Sequence, residues 1–496
     1  MREQMPALIV VLPLMASLIS PFVSYFSKQL GRWMTILAIL AAHISSIGVL
    51  IKVVSEGPWH YHFGNWAPPW GIEFVIDPLG GTMAVLISFV SLIVAIYSGP
   101  FLNQDDWLKN ATYYSLYLLL TTGLLGMVIT GDVFNLYVFL EISSLAGYGL
   151  IAAGGHRATV AAFRYLLIGT IGASFYLLGI GYLYAITGTL NMADMVERIM
   201  PMIDSPVVFM TVAMFVVGLG IKMALFPLHG WQPDAYTYSH PAAAALIAGV
   251  MGKVPAYVIL RFFFFVFGTA SIAVTSALQV MGWLAALGIL IGSIMAIAQK
   301  DFRRMLAYSS VGQIGYIVVG FAIGNTYGLI GAVLHIINHA IMKSCLFLIA
   351  GGIKWRTGEV SIEKFAELNK KMPFTMTAFV IAALSMIGLP PTAGFFSKWY
   401  LVLGAAEADM WFYIAVIIIS SLLNLAYFFR IIENIFMRKK SEEDVTEVKT
   451  AKTFELPVTM LLPIVVLGLG ILVIGIYNEQ IVTQVLQFAV PGVGIR

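Results

Sequence analysis

The sequence predicts an all-α, polytopic membrane protein with 14 transmembrane helices. Composition points there first: of 496 residues, 60% are hydrophobic and only 11% charged, at a mean hydropathy of +0.90. Soluble chains carry about 25% charged residues. Apolar runs close to the ~20 residues that cross a hydrocarbon core about 30 Å thick recur from end to end, with short loops between them. Basic residues, finally, gather in alternate loops, as the positive-inside rule requires of a multi-pass chain. The length alone would suit about three soluble domains, but the pattern is that of one continuous membrane domain.

The first three helices are expected at 5–26, 33–54 and 79–98. Helices 4 to 8 follow at 112–130, 132–154, 159–187, 206–226 and 241–268. Helices 9 to 13 fall at 273–299, 304–323, 327–353, 373–402 and 409–437, and helix 14 at 456–477. The opening run is too long for a signal peptide, begins with mixed charge and lacks a small-residue cleavage site, so it reads as helix 1. One set of loops carries Lys28, Arg32, Arg157, Lys300, Arg303, Arg304, Lys354, Arg356, Lys364, Lys370 and Lys371. Arg438, Lys439, Lys440, Lys449 and Lys452 fall on the same side. The opposite loops, SEGPWHYHFGNWAPPWGIEFVIDP, TGD, GNT and AEADM, carry neither Lys nor Arg. The basic side is therefore expected to be cytoplasmic and both termini outside. The loop HGWQPDAYTYSHP falls on the cytoplasmic side without a cation, which predicts that it is partly buried.

Helix 7 is broken by Pro227 and Pro233 in LFPLHGWQPDAY, and helix 12 by Pro390 and Pro391 in MIGLPPTAGFF. Broken helices in corresponding positions of two halves point to inverted repeats with ion sites at the breaks. Helices 4–8 and 9–13 are paired on this basis as two inverted five-helix repeats. The expected organisation is 1–111, three N-terminal helices; 112–268, the first repeat; 273–437, the second; and 438–496, a cytoplasmic loop and final helix.

Charges inside the apolar runs carry the functional signal. Lys222, Lys253, Lys343 and Lys398 each interrupt one, and Glu141 lies in NLYVFLEISSLAGYGL. A charge at bilayer depth costs at least about 2.5 kcal/mol, so such residues face a protein interior or wet cavity and mark ion paths. His335, His339 and Lys343 are spaced i, i+4, i+8 and form one polar stripe. Amines in such surroundings can exchange protons near neutral pH, where an exposed lysine cannot, and histidine needs only a small shift. The alternative for each is a satisfied core residue or a static ion pair. Glu141 and Lys222 are expected partners across helices 5 and 7, with Lys253 the next acceptor and Lys398 the exit. Arg164, His229 and His240 are further candidates, Arg164 being read first as snorkelling from helix 6. Asp77 and Asp132 stand at helix starts and read as caps. The aromatic run RFFFFVF and the loop tryptophans read as lipid-facing and interfacial.

The lone Cys345 reads as a small core residue and excludes an intrachain disulfide or a cysteine-held cluster. His335 and His339 have metal-ligand spacing, but no carboxylate completes a site and Lys343 continues their face. No phosphate loop or nucleophile elbow occurs, and the net charge of +3 gives no sign of a nucleic-acid partner. No cofactor or catalytic chemistry is expected in the chain itself.

These segments resemble the antiporter-like membrane subunits shared by Mrp-type cation/proton antiporters, respiratory complex I and membrane-bound hydrogenases. GDVFNLYVFLEISSLAGYGLIA looks like the family's helix 5, and KMALFPLHGWQPDAYTYSHPAAAALIAGVMGKVPAYVILR like its helices 7 and 8. DFRRMLAYSSVGQIGY, HIINHAIMKSCLFLIAGG and GLPPTAGFFSKW look like helices 10, 11 and 12. The resemblance makes Glu141 the essential glutamate and Lys222, Lys253, Lys343 and Lys398 the path lysines, with His335 and His339 between. FGNWAPPWGIEF, LYAITGTLNMADM and the ending after a single further helix look most like the D-type subunit of Mrp antiporters. Gln232 and the segment Ser239 to Pro241 depart from the commoner forms. The resemblance thus implies a proton-translocating subunit of a multi-subunit Na+/H+ antiporter in a prokaryotic plasma membrane, with other membrane subunits as partners. The alternatives are the ion-pumping subunit of a redox complex, a structural scaffold, and a stand-alone transporter.

Overall fold

The computed structural model describes residues 2–102, 106–438 and 455–489, and the basic residues Lys439, Lys440, Lys449 and Lys452 lie outside that set. The expected all-helical, multi-span architecture is present. Among the described residues 13 helices are long and apolar enough to cross a membrane. Helices 1 to 3 are Met5–Phe26, Lys28–Glu56 and Pro78–Tyr97, and helices 4 to 6 are Trp107–Ile129, Val133–Ala152 and His156–Thr187. Helix 7 is Pro206–Met223 and helix 8 Pro241–Val266; helices 9 to 11 are Ile272–Ile297, Phe302–Ile323 and Thr326–Thr357. Helices 13 and 14 are Trp411–Phe436 and Val458–Ile476. Helix 12 is the fourteenth crossing, in two pieces, Pro373–Ile387 and Ala393–Glu407. Short hydrophilic starts shift some ends: helix 4 begins a turn before its apolar run because Asp106 accepts from the Lys109 amide at 2.8 Å.

The inner helices are 8, 10 and 11, while helices 1, 2, 6, 13 and 14 keep apolar faces on the outside. Lipid tails are as apolar as leucine, so close packing and hydrogen bonds must hold such a bundle together. Helices 6 and 7 cross at Gly172 and Gly218, where a Cβ on either residue would meet the other's carbonyl oxygen at 2.9 or 2.6 Å.

The segment between helices 2 and 3 forms a hairpin of β1 (Trp59–His62) and β2 (Glu73–Ile76), antiparallel with Trp59 opposite Ile76. Trp66 and Trp70 at its tip are exposed, as an interfacial reading requires. Glu73 is buried beneath it, 3.2 Å from both His60 and His62 and bonded at 2.6 Å by Asn191.

The run RFFFFVF corrects its sequence reading. Phe262, Phe263 and Phe264 are buried, because helix 8 is enclosed by other helices on all its faces, and Phe262 packs edge-on to Phe215. Arg261, ahead of them, is clamped by Asp77 at 2.5 and 2.8 Å. Asp77 therefore does more than cap helix 3 through the Gly80 amide at 2.8 Å; it ties helix 3 to helix 8. Asp132 caps helix 5 as expected, accepting from the Asn135 amide at 2.6 Å.

Burial works to raise the Asp77 carboxyl, but the Arg261 guanidinium and the Gly80 amide outweigh it and hold the group below the usual carboxylate range. The stability from this group is thus complete above its unfolded pKa of about 4 and is lost as pH falls through the lower folded value. Arg261→Met should leave a buried carboxylate unpaired and destabilise the fold by about 3–5 kcal/mol. Adding Asp77→Asn should recover part of the loss. Thermal unfolding in detergent checks both, and because burial alone raises the unpaired Asp77 carboxyl, the Arg261→Met deficit should be larger at pH 8 than at pH 6.

Candidate functional site

Helix 7 ends at Met223 because Ala224 takes a left-handed conformation (φ 60°), and the chain resumes as a short helix over Gln232–Tyr238. Pro227 lies within the break, whereas Pro233 sits in the first turn of the second piece, where a missing N–H costs nothing. The broken end is covered by protein: the Trp231 indole donates to the Ile221 carbonyl at 2.9 Å. The cation-free loop is partly buried, as expected, and its neighbours supply the charge. Arg303 donates to the carbonyls of Tyr236 (3.1 Å) and Ser239 (2.6 Å), where the short helix ends. Arg164 and Arg304 both reach Asp234, at 2.9 and 3.0 Å. Arg164 is thus an exposed ion-pair partner of the loop.

Lys222 stands in the last turn of helix 7 and is buried. Its ammonium donates to Ser144 Oγ at 2.7 Å and lies 3.4 Å from the Tyr148 hydroxyl, both on helix 5. Glu141 shares that face of helix 5, with Oε1 3.8 Å from Lys222 Nζ. The pair is in contact, but Oε1 accepts no hydrogen bond. The bond that holds the lysine goes to a neutral hydroxyl, so the ion pair can open without leaving the ammonium bare. Glu141 keeps 23% of its side chain exposed on the outer surface of helix 5.

Helix 8 contains a π-helical turn at Ile247–Met251, and Lys253, two residues after it, donates to the carbonyl of Ala248 within the turn. Such a turn leaves carbonyls without their usual i+4 partner. Lys222 and Lys253 share no hydrogen-bond partner. Lys253 is instead within electrostatic reach of His335, His339 and Lys343 on helix 11. The two helices touch here, with Ser344 donating to the Ala245 carbonyl at 3.2 Å.

The stripe on helix 11 is fully buried. Lys343 donates to the Leu306 carbonyl at 2.7 Å and to Ser309 Oγ at 2.5 Å, both on helix 10. His335 has Nδ1 2.9 Å from Ser397 Oγ and Nε2 3.0 Å from Gln313 Oε1. His339, between them, has neither ring nitrogen hydrogen-bonded. Its ring lies 5.9 Å from that of His335. A histidine with two unused nitrogens among cations is unlike a satisfied core residue.

Lys398 donates back to the carbonyls of Met386 (3.1 Å) and Ile387 (2.9 Å), the end of helix 12's first piece, and to Ser421 Oγ at 3.2 Å. A cation at a helix C-terminus is favoured by the dipole and by the unpaired carbonyls. His229 and His240 stand apart. His229 is half-buried in the helix 7 break beside Phe226, with ring centroids 5.4 Å apart. His240 precedes helix 8 between Phe101 and Tyr113, each 5.2 Å away. Burial, helped by Arg303 and Lys354, pulls it down to about 4, so its ring is neutral at physiological pH.

Sequence reasoning missed several members: Ser144, Gln313 and Ser397 as partners, Arg303 as a buried cation, and Arg261. Arg261 had a signal, since Lys253, Tyr257 and Arg261 repeat the i, i+4, i+8 spacing of the helix 11 stripe.

Residues 130–424 match the family described as NADH:quinone oxidoreductase/Mrp antiporter, TM, and residues 61–110 match the NADH-ubiquinone oxidoreductase (complex I), chain 5 N-terminus. The chain is 52% identical over 498 residues to the N-type subunit of the NADH-quinone oxidoreductase of Desulforudis audaxviator, covering 99% of each. It is 32% identical to the D-type subunit of the Na(+)/H(+) antiporter of Alkalihalophilus pseudofirmus, covering 97% of this chain and 96% of the relative. A chain of the membrane-bound sulfane sulfur reductase, an archaeal respiratory membrane complex, superposes with a TM-score of 0.89 at 29% identity, covering 97% of this chain and 96% of that one.

Gly388 opens the helix 12 break at φ 96°, and a Cβ there would lie 3.1 Å from Lys398 Cδ. Gly388→Ala should cost about 1–2 kcal/mol in backbone strain and displace Lys398 from its carbonyls. A lower melting temperature, with transport reduced beyond what the loss of folded protein explains, is the expected result.

Proposed function

The chain belongs to the NADH:quinone oxidoreductase/Mrp antiporter family, and we propose that it is a proton-translocating, multi-pass membrane subunit of a redox-driven complex of the complex I type. The observation that carries this reading is the set of buried lysines held on neutral, exchangeable partners. Lys222 rests on Ser144, Lys343 on Ser309 and the Leu306 carbonyl, and Lys398 on the carbonyls at the helix 12 break. Static ion pairs would hold each lysine on its own carboxylate, and among the described residues Lys222 alone of these lysines has one within reach.

In this reading protons enter from the cytoplasmic side near helices 7 and 8, where Arg164, His229 and His240 lie. They pass Lys222, Lys253 and the His335/His339/Lys343 stripe, and leave past Lys398. Opening the Glu141–Lys222 pair changes how tightly the lysine holds its proton. Glu141, partly exposed on the surface of helix 5, couples this change to an adjacent membrane subunit. Bacterial relatives support a prokaryotic plasma membrane as the location.

The redox-complex reading is preferred to the antiporter reading because identity is 52% to the NADH-quinone oxidoreductase relative and 32% to the Na(+)/H(+) antiporter relative, both across nearly the whole chain. The antiporter reading keeps its support from the second of these. The composition of the purified complex separates the two: iron–sulfur subunits are expected to co-purify, and an assembly of antiporter subunits alone would reverse the preference.

Glu141→Ala and Lys222→Ala should each lower proton transport in membrane vesicles about tenfold or more, with normal amounts of assembled complex. Full transport in both variants would sink the proton-path reading. Loss of assembly in step with transport would favour a scaffold.

A further inference from the structure

From its sequence helix 13 is only a membrane span, yet it carries a buried polar group between two of the lysines. Ser420, Asn424 and Tyr427 are 0–1% exposed, Ser293 on helix 9 and Ser309 on helix 10 are each 2%, and Tyr316 on helix 10 is 0%. Starting from Lys343, the ammonium donates to Ser309 Oγ at 2.5 Å. The Tyr427 hydroxyl is within side-chain reach of Ser309 and donates to Asn424 Oδ1 at 2.9 Å. Asn424 Nδ2 is fixed on the Met386 carbonyl at 3.3 Å, the same oxygen that accepts from Lys398. Ser293 joins the group, 3.1 Å from Ser420 Oγ and 3.4 Å from Asn424 Oδ1. The Tyr316 hydroxyl is surrounded by Ser420, Ser421 and Asn424 but completes no hydrogen bond of its own. Ser421 in turn accepts from Lys398 at 3.2 Å, and the lysine lies 5.0 Å from the centre of the Tyr316 ring.

Buried polar groups in a membrane are costly unless paired, and one hydroxyl left open beside a lysine is the sort of exception that asks for a role. We propose that the hydroxyls of Ser309, Tyr427, Tyr316 and Ser421 form a proton relay from Lys343 to Lys398 through helices 10 and 13, with Asn424 as the positioning residue. The inference rests on the proton-path reading above and makes this branch, rather than the histidines, the main route from Lys343 to Lys398. A proton leaves the Lys343 ammonium for the Ser309 oxygen as the Ser309 proton moves to Tyr427. Tyr427 then turns its O–H from Asn424 Oδ1 toward Tyr316, whose hydroxyl neighbours the same amide, and passes its own proton there; Tyr316 passes one to Ser421, and Ser421 one to the neutral Lys398 amine. Every hydroxyl gains one proton and gives one up, so the net change is one proton moved between the lysines.

Tyr427→Phe and Tyr316→Phe remove one oxygen each and keep the rings. In the assembled complex, measured in membrane vesicles by dye quenching and normalised to complex content, each should lower proton transport about tenfold. The residual rate should show a larger solvent deuterium isotope effect than the unaltered complex. Transport and isotope effect both unchanged would overturn the relay, as would losses that merely follow reduced assembly in both variants. Lys222→Ala, run alongside, separates the two levels. If it abolishes transport while both tyrosine variants pump normally, the branch fails and the proton-path reading stands; if it too pumps normally, that reading itself fails.

Discussion

A buried ammonium inside a bilayer needs oxygen atoms, and an uninterrupted helix has few to spare because its carbonyls are engaged four residues on. The architecture turns on how that need is met. Lys398 sits on the carbonyls at the end of a broken helix, Lys253 on a carbonyl within a π-helical turn, and Arg303 on the carbonyls where the short helix after the first break stops. Irregular backbone and buried cation satisfy each other, and each would be expensive alone. The interruptions in helices 7, 8 and 12 are therefore conditions for holding charge at depth.

The same constraint sorts the charges into two kinds. Asp77 and Arg261 form a bidentate pair at 2.5 and 2.8 Å that joins helices 3 and 8. It is matched, saturated and structural. Glu141 and Lys222 are 3.8 Å apart with a serine taking the lysine's short bond. Such a pair can exchange partners at little cost, because the serine remains when the carboxylate withdraws. Tight pairing marks the scaffold, and loose pairing with neutral alternatives marks the groups suited to changing charge.

Much of this was legible in one dimension. Hydropathy period and loop charge located 14 crossings, since a span needs a fixed length of apolar chain whatever surrounds it. Proline pairs marked the breaks, and the i, i+4, i+8 spacing put His335, His339 and Lys343 on one face before any contact was known. RFFFFVF went wrong for an equally definite reason: in a membrane chain an aromatic run has the same composition whether it meets lipid or protein, and the central place of helix 8 that buries it leaves no mark in the residue types. Asn424 and Tyr427 were passed over because an occasional polar residue in a hydrophobic helix is unremarkable until its neighbours on other helices are seen.

By itself, then, the sequence determined the membrane class, the number and order of crossings, the sites of the proline breaks and the residues carrying charge into the bilayer. These follow from transfer free energy and backbone stereochemistry, which act locally along the chain. Tertiary structure decided which oxygen each lysine holds, which ion pair is tight and which loose, that His339 has two unused nitrogens, and that helix 13 lies between Lys343 and Lys398. Those depend on how helices distant in sequence come together, and a difference of an ångström or two there separates a hydrogen bond from none.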